Sequence, residues 1–272
     1  MIPAFILALR EGLEAALIIG IVLGVLRRLG LHRQQRMVWL GASLAAVLSL
    51  AVGAGLYALG VGFEGRAEEI FEGVAMLLAA GVLTWMIFWM AMQGQYIQVG
   101  LERDVHQAAF GGRWALFSLA FVAVLREGIE LALFLSAASF TVAAQTTLAG
   151  SLLGLAAAGL GGWLLFATTT RLNVRTFFRV TSGLLILFAA GLVAHGVHEL
   201  NEAGVIPIVI ESVWNLNPIL DEDSGAGQML KTLIGYNGNP SLTEVLAYGV
   251  YWIAVLLGLL RRRKAASQVV QA

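Results

Sequence analysis

The sequence predicts an all-α integral membrane fold: seven transmembrane helices, a 3+3 inverted repeat plus one extra helix, N-terminus outside and C-terminus inside. Three observations predict it. Of the 272 residues, 59% are hydrophobic and only 12% charged, about half the charged fraction of a soluble domain. Seven apolar stretches each approach or exceed the ~20 residues that cross a bilayer. Basic residues gather between the stretches that a single orientation places inside.

The first stretch, 2–26, opens on Pro3, where a helix start tolerates proline. It is expected to be a span rather than a cleaved leader, because no basic residue precedes it and Arg10 and Glu11 interrupt it. Further stretches follow at 37–59, 70–92, 114–137, 148–168, 177–194 and 242–260. None holds an internal proline, since Pro207, Pro218 and Pro240 all lie between the sixth and seventh. Continuous helices are therefore expected. The segment 199–241 is too long for a simple connection, and a short helix is expected within it at about 228–233.

With the N-terminus outside, thirteen basic residues face inside, from Arg27 and Arg28 to the closing Arg261, Arg262, Arg263 and Lys264. Only Arg66 and Lys231 face outside. Acidic residues show the reverse bias, which either complements the basic side or concentrates cations at the outer face. The whole chain, 1–272, reads as one polytopic domain. Repeat 1 covers about 1–93, repeat 2 about 114–198, the outer loop 199–241 and the seventh helix 242–260. Three spans per repeat invert the second copy, an arrangement that places substrate near the midplane.

The two copies share their first helix most closely. Residues 9–17 read LREGLEAAL and residues 125–133 read LREGIELAL. Each charge at mid-bilayer costs about 2.5–3.5 kcal/mol on insertion scales. Arg10, Glu11 and Glu14 share one helical face, as do Arg126, Glu127 and Glu130. Gly12 and Gly128 leave room for a neighbouring helix to approach. Four carboxylates against two guanidiniums leave a formal charge of −2, which suits a hard multivalent cation. The arginines then support the site by holding carboxylate rotamers. The competing use of such a motif is a structural staple between helices, but a buried ion pair stabilises poorly.

Paired Arg-Glu-x-x-Glu motifs in the first and fourth of seven spans resemble the oxidase-dependent iron transporter family. It comprises the fungal high-affinity ferric permeases and the bacterial EfeU-type iron permeases. His198-Glu199-Leu200, Gly204 to Pro207 and Gly235-Tyr236-Asn237 resemble the bacterial members' outer loop. The resemblance implies an iron permease of the cytoplasmic (inner) membrane, not an enzyme. Glu11, Glu14, Glu127 and Glu130 would be the metal ligands of its main transport site. Iron is then the transported substrate, with no organic cofactor and no nucleic acid partner. It further implies a separate extracytoplasmic partner, an iron-binding protein or an oxidase or peroxidase. Hard oxygen donors favour Fe(III), with Fe(II) also accommodated. The alternatives are a carrier of another divalent metal, such as Mn or Pb, or a membrane-embedded metalloenzyme.

Secondary metal positions are Glu69 and Glu72 at the outer end of the third span, and His195, His198 and Glu199 at the outer end of the sixth. Each has a plainer use: acidic residues favour a helix N-terminus, and histidines tie helix ends together. The acidic run 221–223 reads as a solvated loop. Trp85 and Trp89 read as an interfacial belt at the inner end of the third span, with Met86, Met90 and Met92 beside them.

Overall fold

The computed structural model describes residues 1–93, 97–141, 143–167, 174–222 and 224–271. Among them are nine α-helices and no strand: α1 (Ile2–Arg28), α2 (Gln35–Gly62), α3 (Arg66–Gln93), α4 (Ile97–Phe110), α5 (Arg113–Thr141), α6 (Ala144–Ala167), α7 (Val174–Glu202), α8 (Gly225–Ile234) and α9 (Leu242–Gln271). A single 3-10 turn, His32–Gln34, joins α1 to α2. Thr168, Arg171 and Asp223 lie outside the described residues, as do the side chains of Met92, Arg175, Arg262, Arg263 and Lys264.

Five helical segments are long and apolar enough to cross a membrane: His32–Gly62, Arg66–Ala91, Ala144–Leu164, Thr176–Glu202 and Leu242–Arg261. The chain is a multi-pass membrane protein. Helices α1 and α5 are just as long, at 27 and 29 residues. They differ in carrying three charges each near their middles, Arg10, Glu11 and Glu14 in one and Arg126, Glu127 and Glu130 in the other. Leucines and valines point outward along the helices, Leu50, Leu152 and Leu160 among them. By contrast Arg10, Glu11 and Glu127 are buried and Glu14 and Glu130 half-buried, while Arg126 alone of the six is exposed. That inversion is what a hydrocarbon solvent demands.

The chain forms two compact units, Met1–Gly62 with Trp89–Leu185, and Phe63–Phe88 with Ile186–Ala272. The division falls inside α3 and α7.

In the first unit α1 packs along α6, α2 along α5, and α1 also meets α5. Both long pairings are parallel. Gly150 abuts the Met1 carbonyl and Gly162 abuts Ala16, so α1 and α6 advance together. Gly41 abuts Phe117 and Gly53 abuts Ala132, so α2 and α5 do the same. Small residues permit this closeness, and van der Waals packing rather than water exclusion holds helices together in lipid. A core of Val22, Val25, Leu26, Val38, Leu116 and Ala120 fills the end away from Met1. Val105 of α4 completes that core. At 14 residues, α4 is too short and too polar to register as a span.

In the second unit α3 crosses α7 at Gly73 and Gly196, where a β-carbon on either would meet the other's carbonyl. Helix α8 lies where a short helix was expected. The Ser224 hydroxyl caps it by accepting from the Gly227 N–H at 3.0 Å, and Gly235 closes it at φ +73°, a left-handed turn that favours glycine. Asn201 of α7 donates to Ser241 at 2.9 Å and to Thr243 at 2.8 Å. These bonds fasten the end of the long loop to α7.

Candidate metal site

The repeated motifs lie entirely in the first unit, and their geometry is built from α1 and α5. Glu11 stands about 14 Å along α1 at 1.5 Å per residue. A Cβ at Gly12 would strike Ala158 of α6, and one at Gly128 would strike Ser49 of α2. A second helix thus packs closely at each motif glycine.

Arg10 is fully buried and Glu11 is 1% exposed. The Arg10 Nε sits 3.2 Å from a Glu14 oxygen and its Nη1 3.8 Å from Glu11. Its Nη2 donates to the sulfur of Met90 at 2.9 Å. In the second motif Arg126 Nε donates to Glu130 at 2.9 Å and lies 4.0 Å from Glu127. The Arg126 side chain is 41% exposed, and its guanidinium sits 4.8 Å over the Trp89 ring. The two motifs therefore share a plan, arginine on the carboxylate four residues on, yet differ in burial.

Glu11, Glu14 and Glu127 each offer one oxygen within 4.8 Å of the others. Glu130 stays outside this threefold set, held by Arg126. Both oxygens of Glu11 and one each of Glu14, Glu127 and Glu130 are buried without a hydrogen-bond donor. A buried acceptor left without a donor is costly, and a carboxylate has no proton of its own to share. A group of three such carboxylates could hold a cation.

The sequence profile of the iron permease FTR1 family matches residues 1–266. The chain belongs to that family. The "Ferrous iron permease EfeU" of Escherichia coli strain 536 is 35% identical over 270 residues, 98% of each chain. Proteins of the same name from Shigella sonnei and Yersinia pestis are 36% identical over 260 residues and 34% over 276. The matches cover 94% of each chain for the first, and 100% of this chain and 98% of the relative for the second. No solved structure matches. The family is one of transporters rather than enzymes.

For this family member the secondary positions group differently. His195 is buried, with its Nδ1 3.0 Å from the Gly191 carbonyl of its own helix. His198 faces carboxylates with both ring nitrogens, Glu244 at 3.2 Å and Glu202 at 3.4 Å. Glu69, Glu72 and Glu199 are all half-buried. Among the described residues, no cluster of three metal-ligating side chains includes any of these five.

Two contacts have no signal in the sequence. Trp89 lies against Arg126, and Met90, beside the tryptophans at the end of the third stretch, accepts from Arg10. Nothing in their spacing signals this, because the contact is set by how α3 ends against two other helices. Trp85 does face outward, 61% exposed.

Proposed function

We propose that the chain is a permease that imports iron across the cytoplasmic membrane, and that Glu11, Glu14, Glu127 and Glu130 bind the ion on its way. The observation that carries this reading is the meeting of Glu11, Glu14 and Glu127 within 4.8 Å, from two helices, in a chain of the iron permease family. Arg10 and Arg126 offset part of the charge and hold Glu14 and Glu130 in place. The net formal charge of −2 leaves a demand that a divalent ion meets.

In this reading α1, α2, α3, α5, α6, α7 and α9 are seven spans of one polytopic domain, N-terminus outside. The pairings of α1 with α6 and of α2 with α5 support an inverted repeat: each is the image of the other when the two halves exchange. The positive-inside distribution supports the orientation.

Hard-donor chemistry favours ferric iron, while the relatives' names favour ferrous. We take ferrous iron as the species delivered to the carboxylates, which bind either. A separate extracytoplasmic protein supplies it. Uptake of radioactive iron into proteoliposomes tests the reading, with ferric citrate or ascorbate-reduced iron outside and Mn or Pb as competitors. Wild type takes up ferrous iron, and Glu14→Ala and Glu130→Ala lose uptake while remaining folded. Unchanged uptake in both variants would reduce the motif to a helix staple. Equal uptake of Mn would widen the substrate class to divalent metals in general.

A further inference from the structure

Helix α7 is a ruler for the segment that follows it. Gly191 and Asn201 stand ten residues apart on α7, about 15 Å at 1.5 Å per residue. Asn201, at the end where α7 finishes, is bonded to Ser241 and Thr243 at the start of α9. Gly191, the deeper of the two, touches Gly235: a Cβ on Gly235 would lie 2.5 Å from the Gly191 Cα. The chain between α7 and α9 therefore turns back about 15 Å along α7 before α9 begins. Helix α8 makes the descent. Its 10 residues measure about 15 Å. Lys231, one turn before Gly235, lies within electrostatic range of His195, one turn after Gly191, so α8 runs antiparallel to α7. Residues 236–241 make the return, a distance that extended chain covers at ~3.3 Å per residue.

The stretch leading into α8 is apolar and uncovered. Between Glu202 and Asp221 only Glu211 is charged. Val209 is 70% exposed and Ile219 85%, and Ile208, Ile210, Val213 and Trp214 are exposed as well. A patch of this kind marks a surface that meets a partner or a membrane. Backbone bonds fix its height. The Leu242 N–H donates to the Ile210 carbonyl at 3.1 Å, the Val213 N–H to Pro240 at 3.0 Å and the Leu216 N–H to Gly238 at 2.7 Å. Residues 210–216 thus start level with the first residue of α9 and descend beside 238–242. Polar groups near the turn are paired internally. The Tyr236 hydroxyl donates to the Leu220 carbonyl at 2.7 Å and Asn237 to Glu244 at 2.8 Å. Non-helical backbone tolerates membrane depth only where protein covers it, and Gly235, Tyr236 and Asn237 are half-buried while Gly238 is buried.

We propose that the segment between α7 and α9 is re-entrant: α8 and its Gly235 tip descend along α7 into the ~30 Å hydrocarbon core, and the exposed residues of 205–219 rest at the headgroup–acyl boundary of the outer leaflet. The partner of this surface is phospholipid. With α7 and α9 as spans, the patch lies at and below the level where both cross the boundary, whereas a soluble protein would need it above that level. Trp214 suits the place, since an indole settles at the membrane interface. The glycine pair at 191 and 235 lets the tip sit directly on the α7 backbone.

The chain contains no cysteine, so single cysteines carry a fluorescent label without background. Val209→Cys and Ile219→Cys are labelled with an environment-sensitive fluorophore and reconstituted into liposomes. Leu246→Cys, outward on α9, is the lipid control, and Glu64→Cys, exposed between α2 and α3, is the water control. Both test positions are expected to be quenched severalfold more by a phospholipid bearing its nitroxide high on the acyl chain than by aqueous iodide, as Leu246→Cys is. Quenching by iodide as strong as at Glu64→Cys would overturn the proposal and leave the patch as a docking face for a soluble protein. Quenching by neither agent would overturn it too, by showing the patch covered by a second copy. Gly191→Val puts a side chain where the Gly235 backbone lies. Added to Ile219→Cys, it should raise iodide quenching severalfold while leaving Leu246→Cys unchanged. No change in that folded variant would overturn the seating of the tip, and if the variant fails to fold, the two labels in the otherwise native chain decide alone.

Discussion

Arg10 donates to the sulfur of Met90 at 2.9 Å, across 80 positions of the chain. The choice of partner matters chemically. A third carboxylate there would neutralise Arg10 and add a rival for the cation, whereas a thioether holds the guanidinium and brings no charge. Met90→Leu keeps the volume and removes the acceptor. We expect the iron KM to rise about 3–10-fold at unchanged expression, read from proteoliposome uptake. An unchanged KM would leave Met90 as packing only.

Trp89 should matter through its ring face. Trp89→Phe retains a surface for Arg126 and Trp89→Leu does not. A cation–π contact at a partly exposed site is worth about 0.5–1 kcal/mol. Trp89→Leu is therefore expected to lower transport about 2–5-fold and Trp89→Phe by less, in the same uptake assay.

The carboxylates are not equivalent. Glu11, Glu14 and Glu127 form the close set, while Glu130 is engaged by Arg126. Glu11→Gln or Glu127→Gln should weaken metal binding at least about 100-fold, taking about 3 kcal/mol for a removed partner of a buried charge. Glu130→Gln should weaken it less. Calorimetric titration of the detergent-solubilised protein with a divalent cation ranks the three variants, and equal losses would contradict the threefold set.

Helix approach at the motif glycines is open to a rescue experiment. Gly128→Ala places a methyl against the Ser49 side chain, and overpacking of this kind costs about 1–3 kcal/mol. Thermal unfolding in detergent should fall for Gly128→Ala and recover when Ser49→Gly is added. Additive losses would place the clash elsewhere.

The loop closure predicts a protease-sensitive variant. Asn201→Ala removes two donors to Ser241 and Thr243, leaving buried hydroxyls short of a partner at about 1–3 kcal/mol. Limited proteolysis within the loop 203–241 should quicken while the helices stay intact.

Much of this molecule was legible from residue order. The apolar stretches became helices because each was long, free of proline and flanked by charge. LREGLE and LREGIE marked the candidate site because charges in hydrocarbon are costly to carry without use. Position was harder to read. Periodicity says that Glu11 and Glu14 share a face, but not that Glu127 joins them while Glu130 turns to Arg126. That distinction depends on where α1 and α5 cross. Helix α4 was missed because its apolar face is short and completed by Val22 and Leu116 from elsewhere.

The pairing of α1 with α6 bears on how the protein is made. At about 5–20 residues per second, Glu127 leaves the ribosome roughly 6–23 s after Glu11, and α6 later still. During that interval α1 must wait at the insertion machinery with Arg10, Glu11 and Glu14 uncovered. The helix that carries the first motif is thus synthesised well before the helices that shelter it. Biogenesis of this permease should depend on a holding step that its more apolar helices do not require.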